Sequence, residues 1–358
     1  MFTKNQVVAA PVMVGKQHLK QTRGRLRAVV VNAGNANCAT GPFGFVAAQA
    51  VCRRAAQLLE VGEAFILPSS TGIIGVQLPS EKLVAALPLL IDEKRGGEDR
   101  VRAFARAIMT TDKTEKISSA QFKVGSKTVN LLGIAKGSGM IHPNMATMLV
   151  YLFTDIEATP AELKALLKAA VDPTFNSITV DGDTSTNDTV LLMASGQSGV
   201  TMQSRGAAKE FARALESVCS ELAEKIVADG EGVKHVVTVR VEGAATAKAA
   251  DAIARTVAQS LLVKTAWAGA DPNWGRVLAA VGRAGVEIDP NVIEVYIGEQ
   301  QVCRGGGSVA FDEKAANTCM KRPKYEVRVK VGRGKGTAKI LSCDLTAEYV
   351  HINADYST

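Results

Sequence analysis

The stretch Lys136-Gly137-Ser138-Gly139-Met140-Ile141-His142-Pro143-Asn144-Met145-Ala146-Thr147 holds the chain's most informative set of residues capable of chemistry. A Gly-rich turn and a proline lead up to Ala146-Thr147, and the apolar run Met148–Phe153 follows. A threonine at the start of a buried strand is commonly structural, because its branched side chain suits strands. Three familiar alternatives fail on spacing. A phosphate-binding loop of the form G-x-x-x-x-G-K-[ST] needs its lysine after the glycines, whereas Lys136 precedes them. A nucleophile elbow, G-x-S-x-G, requires glycine where Lys136 stands. A phosphate site at a helix N-terminus needs a helix to follow, and the following residues have the character of a strand.

Other chemistry-bearing residues are scattered. Asp181-Gly182-Asp183-Thr184-Ser185 resembles the start of a calcium loop, but Thr186 and Leu192 occupy the positions where such a loop requires Gly and Glu. That block reads as a structural element or as a support for a neighbouring site. The six cysteines form no C-x-x-C pair and the four histidines are dispersed, so no metal is expected. Scattered cysteines in a chain of this length fit thiols in a reducing compartment. A net charge of +7 raises the question of nucleic acid, but the basic residues are thinly spread and aromatic residues make up only 5%. No nucleic-acid partner is expected; small anionic substrates fit the charge better. The one dense basic stretch, from Lys321 to Lys335, reads as a solvated hairpin. No apolar run reaches the roughly 18–20 residues of a membrane helix. The start, Met1-Phe2-Thr3-Lys4-Asn5, has no apolar signal core. A cytoplasmic protein is the expectation.

The elements that must position these residues alternate in type. Strand patterns occur at Arg27–Val31, Ala64–Pro68, Thr128–Ile134, Met148–Phe153, Thr189–Ala194, Val236–Val241 and Val292–Ile297. Tyr325–Val331 and Thr337–Cys343 flank a Gly-rich turn and predict a hairpin. Helical spacing predicts Val46–Leu59, a segment from Ser80 to Leu90, Ala161–Val171 opened by Pro160, Ala207–Ala228 and Ala247–Ala266. In the last of these, Ala252, Ile253, Thr256, Val257, Ser260 and Leu261 share one face. Such alternation is the mark of an α/β protein, with sheets covered by helices. The 358 residues suffice for one large unit or two ordinary domains.

The central stretch resembles the ornithine acetyltransferase family, the glutamate N-acetyltransferases, whose motif runs K-G-S-G-M-I-x-P-N-M-A-T-M-L. Further blocks similar to the family are Asn32–Asn37, Ser70–Gly75, Met109–Asp112, Val180–Thr189, Asp229–Gly232, Ser260–Ala266, Asp271–Arg276 and Tyr349–Tyr356. They follow in order along nearly the whole chain.

The resemblance implies two mixed α/β domains of sheets layered with helices. It also implies a precursor that cuts itself between Ala146 and Thr147, giving residues 1–146 as one chain and 147–358 as a second that stays associated. The Thr147 hydroxyl attacks the preceding carbonyl, and the resulting ester is hydrolysed. The freed Thr147 carries both a hydroxyl and an α-amine, whose pKa of about 7.7–8.0 leaves part of it as neutral base at physiological pH. N-acetylornithine acetylates Thr147, ornithine leaves, and glutamate takes the acetyl group. Some family members also accept acetyl-CoA, and the sequence leaves that use open. No other cofactor is implied. Oxyanion donors carry over to Thr71 and Gly72, and substrate contacts to Thr110, Lys136, Thr147, Glu231, Asn353 and Thr358. Lys136 suits a substrate carboxylate and Glu231 an amine. The family typically assembles as heterotetramers of two such chain pairs.

Departures from the pattern are few. The match begins at Phe2-Thr3-Lys4-Asn5, a region that a Gly-rich strand segment normally precedes, which predicts an incomplete N-terminal part. Cys38-Ala39 reverses the usual order, and Ser357 replaces a residue that is often arginine. Two rival functions remain: an amidase or aminopeptidase using the same threonine chemistry, and an uncleaved structural relative.

Overall fold

The computed structural model describes residues 1–142 and 148–355. Among the described residues the chain divides into two units, one formed by Met1–Asn176 with Asp183–Ile226, the other by Ser177–Gly182 with residues 227–355.

The first unit contains two sheets. Strands β1 (Ala28–Asn32) and β2 (Ile66–Ser70) run parallel, with Asn32 opposite Ser70 at their C-terminal ends. Helices Ala10–Gln21 and Gly41–Leu58 cover this pair, and Gly15 lets the first of them approach Leu67, at 3.3 Å from an added Cβ. The second sheet has the order β3 (Lys116–Val124), β4 (Lys127–Lys136), β5 (Leu149–Thr154), β6 (Thr189–Ala194). β4 and β5 are antiparallel, and Lys136 pairs with Leu149, so the connection between them starts and ends at neighbouring rungs of one ladder. Phe2 bridges to Thr189 beside β6. Gly133 on β4 lies under the long helix Ala207–Ala228; a Cβ there would come within 2.7 Å of both Val218 and Leu222 side chains. Helix Pro160–Val171 begins as its sequence predicts: Thr159 and Glu162 cap each other's backbone N–H groups.

The second unit holds a six-stranded sheet of order β10 (Gly307–Ser308), β9 (Gln300–Arg304), β8 (Glu294–Ile297), β11 (Lys324–Lys330), β7 (Val236–Ala244), β12 (Gly336–Cys343). Its core joins Val237, Val239 and Val241 of β7 to Ile253, Val257 and Trp267 of the covering helices.

Two sequence expectations fail here. β11 and β12 are not a hairpin: β7 lies between them, parallel to β11 and antiparallel to β12. The glycines between the two strands serve instead to carry the chain over the end of β7. Gly334 N–H donates to Gly243 O at 2.9 Å, and an added Cβ on Gly336 would lie 2.3 Å from Thr246 O. The expected helix Ala247–Ala266 is two helices, Ala247–Ala258 and Leu261–Ala268, with Ser260 at the N-cap position of the second. The break turns Leu261 outward, where it is 66% exposed, and Ala250, Ala254 and Ala258 are buried beside Ile253 and Val257. Helix Ala10–Gln21 and strand β3 are additions to the elements predicted from sequence.

Candidate active site

Three of the sequence-predicted site residues converge in the first unit. Thr71 follows the end of β2, Lys136 ends β4, and Thr110 lies between helix Glu98–Ala107 and β3. The Lys136 ammonium donates to Thr71 Oγ1 at 3.0 Å and to Thr110 Oγ1 at 2.8 Å. Thr111 is engaged elsewhere, its hydroxyl 2.6 Å from Ser138 Oγ. The geometry therefore separates two adjacent threonines that sequence spacing alone leaves equivalent.

Asp112 organises this group. Its Oδ1 accepts from the Lys116 ammonium and from Gly137 N–H, both at 2.7 Å; its Oδ2 accepts Thr110 N–H at 3.1 Å and lies 3.9 Å from Lys136 Nζ. Burial alone would raise its pKa, but the charges of Lys136 and Lys116 and these hydrogen bonds prevail, holding the carboxyl below the usual carboxylate range. One carboxylate thus ties the 110–112 turn to the start of the β4–β5 connection. Two buried lysines thus stand beside one buried carboxylate.

The turn after β2 is equally constrained. Gly72 has φ +129, and a Cβ there would sit 2.2 Å from the carbonyl carbon of Gly34. Only glycine fits that backbone at that distance. The Gly72 N–H donates to none of the described residues. Thr71 N–H is held by Asn32 O at 3.1 Å, and Ser70 Oγ donates to Asn32 Oδ1 at 2.6 Å. Asn187 fastens the turn from the other side, its side-chain amide donating to Ala36 O at 2.7 Å and Ser70 O at 2.8 Å. The block 181–189 is therefore a brace and holds no calcium-type constellation; no group of metal-ligating side chains occurs among the described residues.

Glu231 and Asn353 meet in the second unit, where Asn353 Nδ2 donates to Glu231 Oε2 at 2.9 Å. Asn353 belongs to a helix, Ala347–Asp355, that is packed against the 230–232 turn. Gly232 makes this possible, for an added Cβ would lie 2.4 Å from Tyr349 N. Ala146, Thr147 and Thr358 fall outside the described residues.

Sequence reasoning gave no role to Lys116, Asp112, Asn187 or Asp188, although three of the four lie in motif blocks. A buried lysine at a strand start carries no periodic signal. Its partner, Asp112, was the available clue: a buried acid next to two threonines requires a cation.

Among described residues, no helix is long and apolar enough to cross a membrane. The model of the ArgJ family matches residues 1–358. The arginine biosynthesis bifunctional protein ArgJ of Methylococcus capsulatus is 44% identical, covering 100% of this chain and 88% of that protein. The glutamate N-acetyltransferase of Methanopyrus kandleri is 45% identical, covering 100% and 92%. The crystal structure of arginine biosynthesis bifunctional protein ArgJ from Bacillus halodurans is 40% identical with a TM-score of 0.55, over 57% of this chain and 98% of that chain. The convergence of Thr71, Thr110 and Lys136 and the match along the full length agree: the chain belongs to the ArgJ family, acyltransferases of arginine biosynthesis.

Proposed function

We propose that this protein moves the acetyl group of N2-acetyl-L-ornithine to L-glutamate through an acetyl ester on Thr147, after cutting itself between Ala146 and Thr147. The observation that carries this reading is the pairing of Lys136 with Leu149. It ties both ends of the connection that contains Ala146 and Thr147 to the ladder position where Lys136, Thr71 and Thr110 converge.

In the self-cleavage step the Thr147 hydroxyl adds to the Ala146 carbonyl carbon. The C–O bond forms, the C–N bond breaks, and the hydroxyl proton ends on the Thr147 nitrogen; water then hydrolyses the ester. In turnover the same hydroxyl attacks the acetyl carbonyl of acetylornithine, with the new α-amine as base, and ornithine leaves with that proton. Glutamate's amine attacks the acetyl-Thr147 ester in the second half-reaction. Each step passes through an oxyanion. Thr71 and the N–H of Gly72 are its donors, and loss of one such donor costs about 10²–10³ in rate. Lys136 and Thr110 take the substrate carboxylate. Glu231 and Asn353 take the ornithine amine, and Thr358 completes the substrate contacts.

No cofactor is needed, since the threonine supplies both nucleophile and base. The two fragments remain together, supported by the burial of Met148–Leu152 within the first unit, and two such pairs form the heterotetramer. The compartment is the cytoplasm, which suits the buried thiols.

The test is intact mass of the wild type beside Thr147→Ala, followed by an acetylornithine assay with and without glutamate. Two fragments meeting at Ala146/Thr147, absent from the variant, and N-acetylglutamate formed only with glutamate are expected. Release of acetate regardless of glutamate would instead establish an amidase. An uncut, inactive wild type would establish a structural relative.

A further inference from the structure

Lys116, the first residue of β3, is a fully buried lysine that the chemistry described so far does not use. Its ammonium donates to Asp112 Oδ1 at 2.7 Å and to Thr114 O at 3.3 Å. Taking an ion pair out of water is unfavourable, and a well-packed apolar pair of similar volume is often as stable or more so. Stability alone therefore does not account for Lys116 and Asp112. The neighbouring lysine supplies a second reason.

Lys136 Nζ stands 3.9 Å from Asp112 Oδ2, beyond hydrogen-bond range, although opposite charge draws the two together. A shift of about 1 Å would make this a contact ion pair, since charge-assisted bonds run at about 2.7–2.9 Å. The ammonium instead donates to the hydroxyls of Thr71 and Thr110. Asp112 is occupied: Oδ1 holds Lys116 and Gly137 N–H, and Oδ2 holds Thr110 N–H. Lys116 is the charged member of that set. Asp188 is the other described acid that senses the Lys136 charge, and burial holds its carboxyl well above the usual carboxylate range. Asp112 is thus the carboxylate to which Lys136 would turn.

We propose that Lys116 is a positioning residue for Lys136: by engaging Asp112 it keeps the Lys136 ammonium on the Thr71 and Thr110 hydroxyls, where a substrate carboxylate is received. The inference rests on the pairing of Lys136 with that carboxylate proposed above. Lys116, fully buried, acts through Asp112 alone. Without it, Asp112 draws Lys136 inward, and both hydroxyls lose the ammonium.

The experiment measures kcat/KM for N2-acetyl-L-ornithine and for its α-carboxamide, which lacks the carboxylate charge, with glutamate as acceptor. The ratio of the two is the preference for a carboxylate. Lys116→Met keeps a long unbranched side chain and removes the charge. The wild type should prefer the carboxylate, and in Lys116→Met that preference should fall about tenfold, as for loss of a charge-assisted hydrogen bond. Adding Asp112→Asn removes the carboxylate that captures Lys136, so the double variant should regain the wild-type preference within about twofold. A merely structural role would lower the melting temperature and slow both substrates alike, and an unchanged preference in folded Lys116→Met overturns the proposal. So does a double variant as impaired in preference as Lys116→Met. Should Lys116→Met not fold, the double variant, whose buried pair is neutral, decides. A preference within twofold of wild type then shows that Lys116 acts only through Asp112, and a lost preference overturns the proposal. A wild type indifferent to the carboxylate refutes its pairing with Lys136, and the proposal falls with that reading. A wild type that prefers the carboxylate, beside a Lys116→Met that does so equally, refutes Lys116 alone.

Discussion

Lys136 donates a 3.0 Å hydrogen bond to the hydroxyl of Thr71, joining the last residue of β4 to the turn that follows β2. The two residues come from different sheets of the first unit. Their contact places an ammonium group against the hydroxyl that the proposed reaction assigns to the oxyanion. A cation donating to that hydroxyl oxygen makes its proton a stronger donor.

Thr71→Val keeps the branched shape and removes the hydroxyl. Acetyl transfer should fall about 10²–10³-fold while the thermal midpoint shifts by only a few degrees. Steady-state kinetics beside a thermal melt check this, and a variant with near wild-type kcat would remove Thr71 from the oxyanion site.

Asp112→Asn leaves Lys116, a fully buried lysine, without its carboxylate. Breaking a buried pair from one side typically costs about 3–5 kcal/mol, which denaturant unfolding will read. The pH dependence follows from the lowered pKa of Asp112. Its contribution is complete above the unfolded value of about 3.9 and is lost as pH falls through the lower folded value. Melts from pH 6 downward should show the wild type's advantage over Asp112→Asn shrinking only in the acid range below about pH 4.

Glu231→Gln preserves the acceptor for Asn353 but removes the negative charge that the proposed function sets against the ornithine amine. KM for acetylornithine should rise about tenfold or more, from the loss of a charge-assisted hydrogen bond. Self-cleavage should be unaffected. An unchanged KM would detach Glu231 from substrate binding.

Thiol reactivity is expected to single out Cys319, which is partly exposed where the other five cysteines are buried. Burial pushes Cys52 and Cys219 up to about 12, so almost none of either is thiolate at pH 8. Alkylation of the native protein, read by peptide mass, should label Cys319 first, and the others only on unfolding. Rapid labelling of Cys52 would contradict the packing of helix Gly41–Leu58.

Much of the fold was legible because local pattern and final environment coincide. Thr189–Ala194 and Ala207–Ala228 occur with the bounds their sequences predict, for each carries its own period and meets an apolar partner on the expected face. Three residues of the motif blocks answer to local backbone demands: Gly72 and Gly232 sit where a Cβ cannot, and Lys136 closes a strand.

Tertiary structure decided the rest. Nothing local to β11 and β12 records that β7, from far upstream, will insert between them, because strand pairing is chosen by the whole sheet. The expected helix Ala247–Ala266 is interrupted before Leu261, and Ala258 and Lys264 are buried on two separate helices. The ionic partners of the site follow the same rule. Lys116 and Asp112 are only four residues apart, but their burial, their pairing and their approach to Lys136 arise when β3 and β4 join. Asp188 looks like a loop acid in the sequence; only the ladder between β5 and β6 encloses it and aligns one of its oxygens with Met148. Residue type and local spacing specify which groups exist, whereas the dielectric and the neighbours that set their chemistry come from packing across the chain.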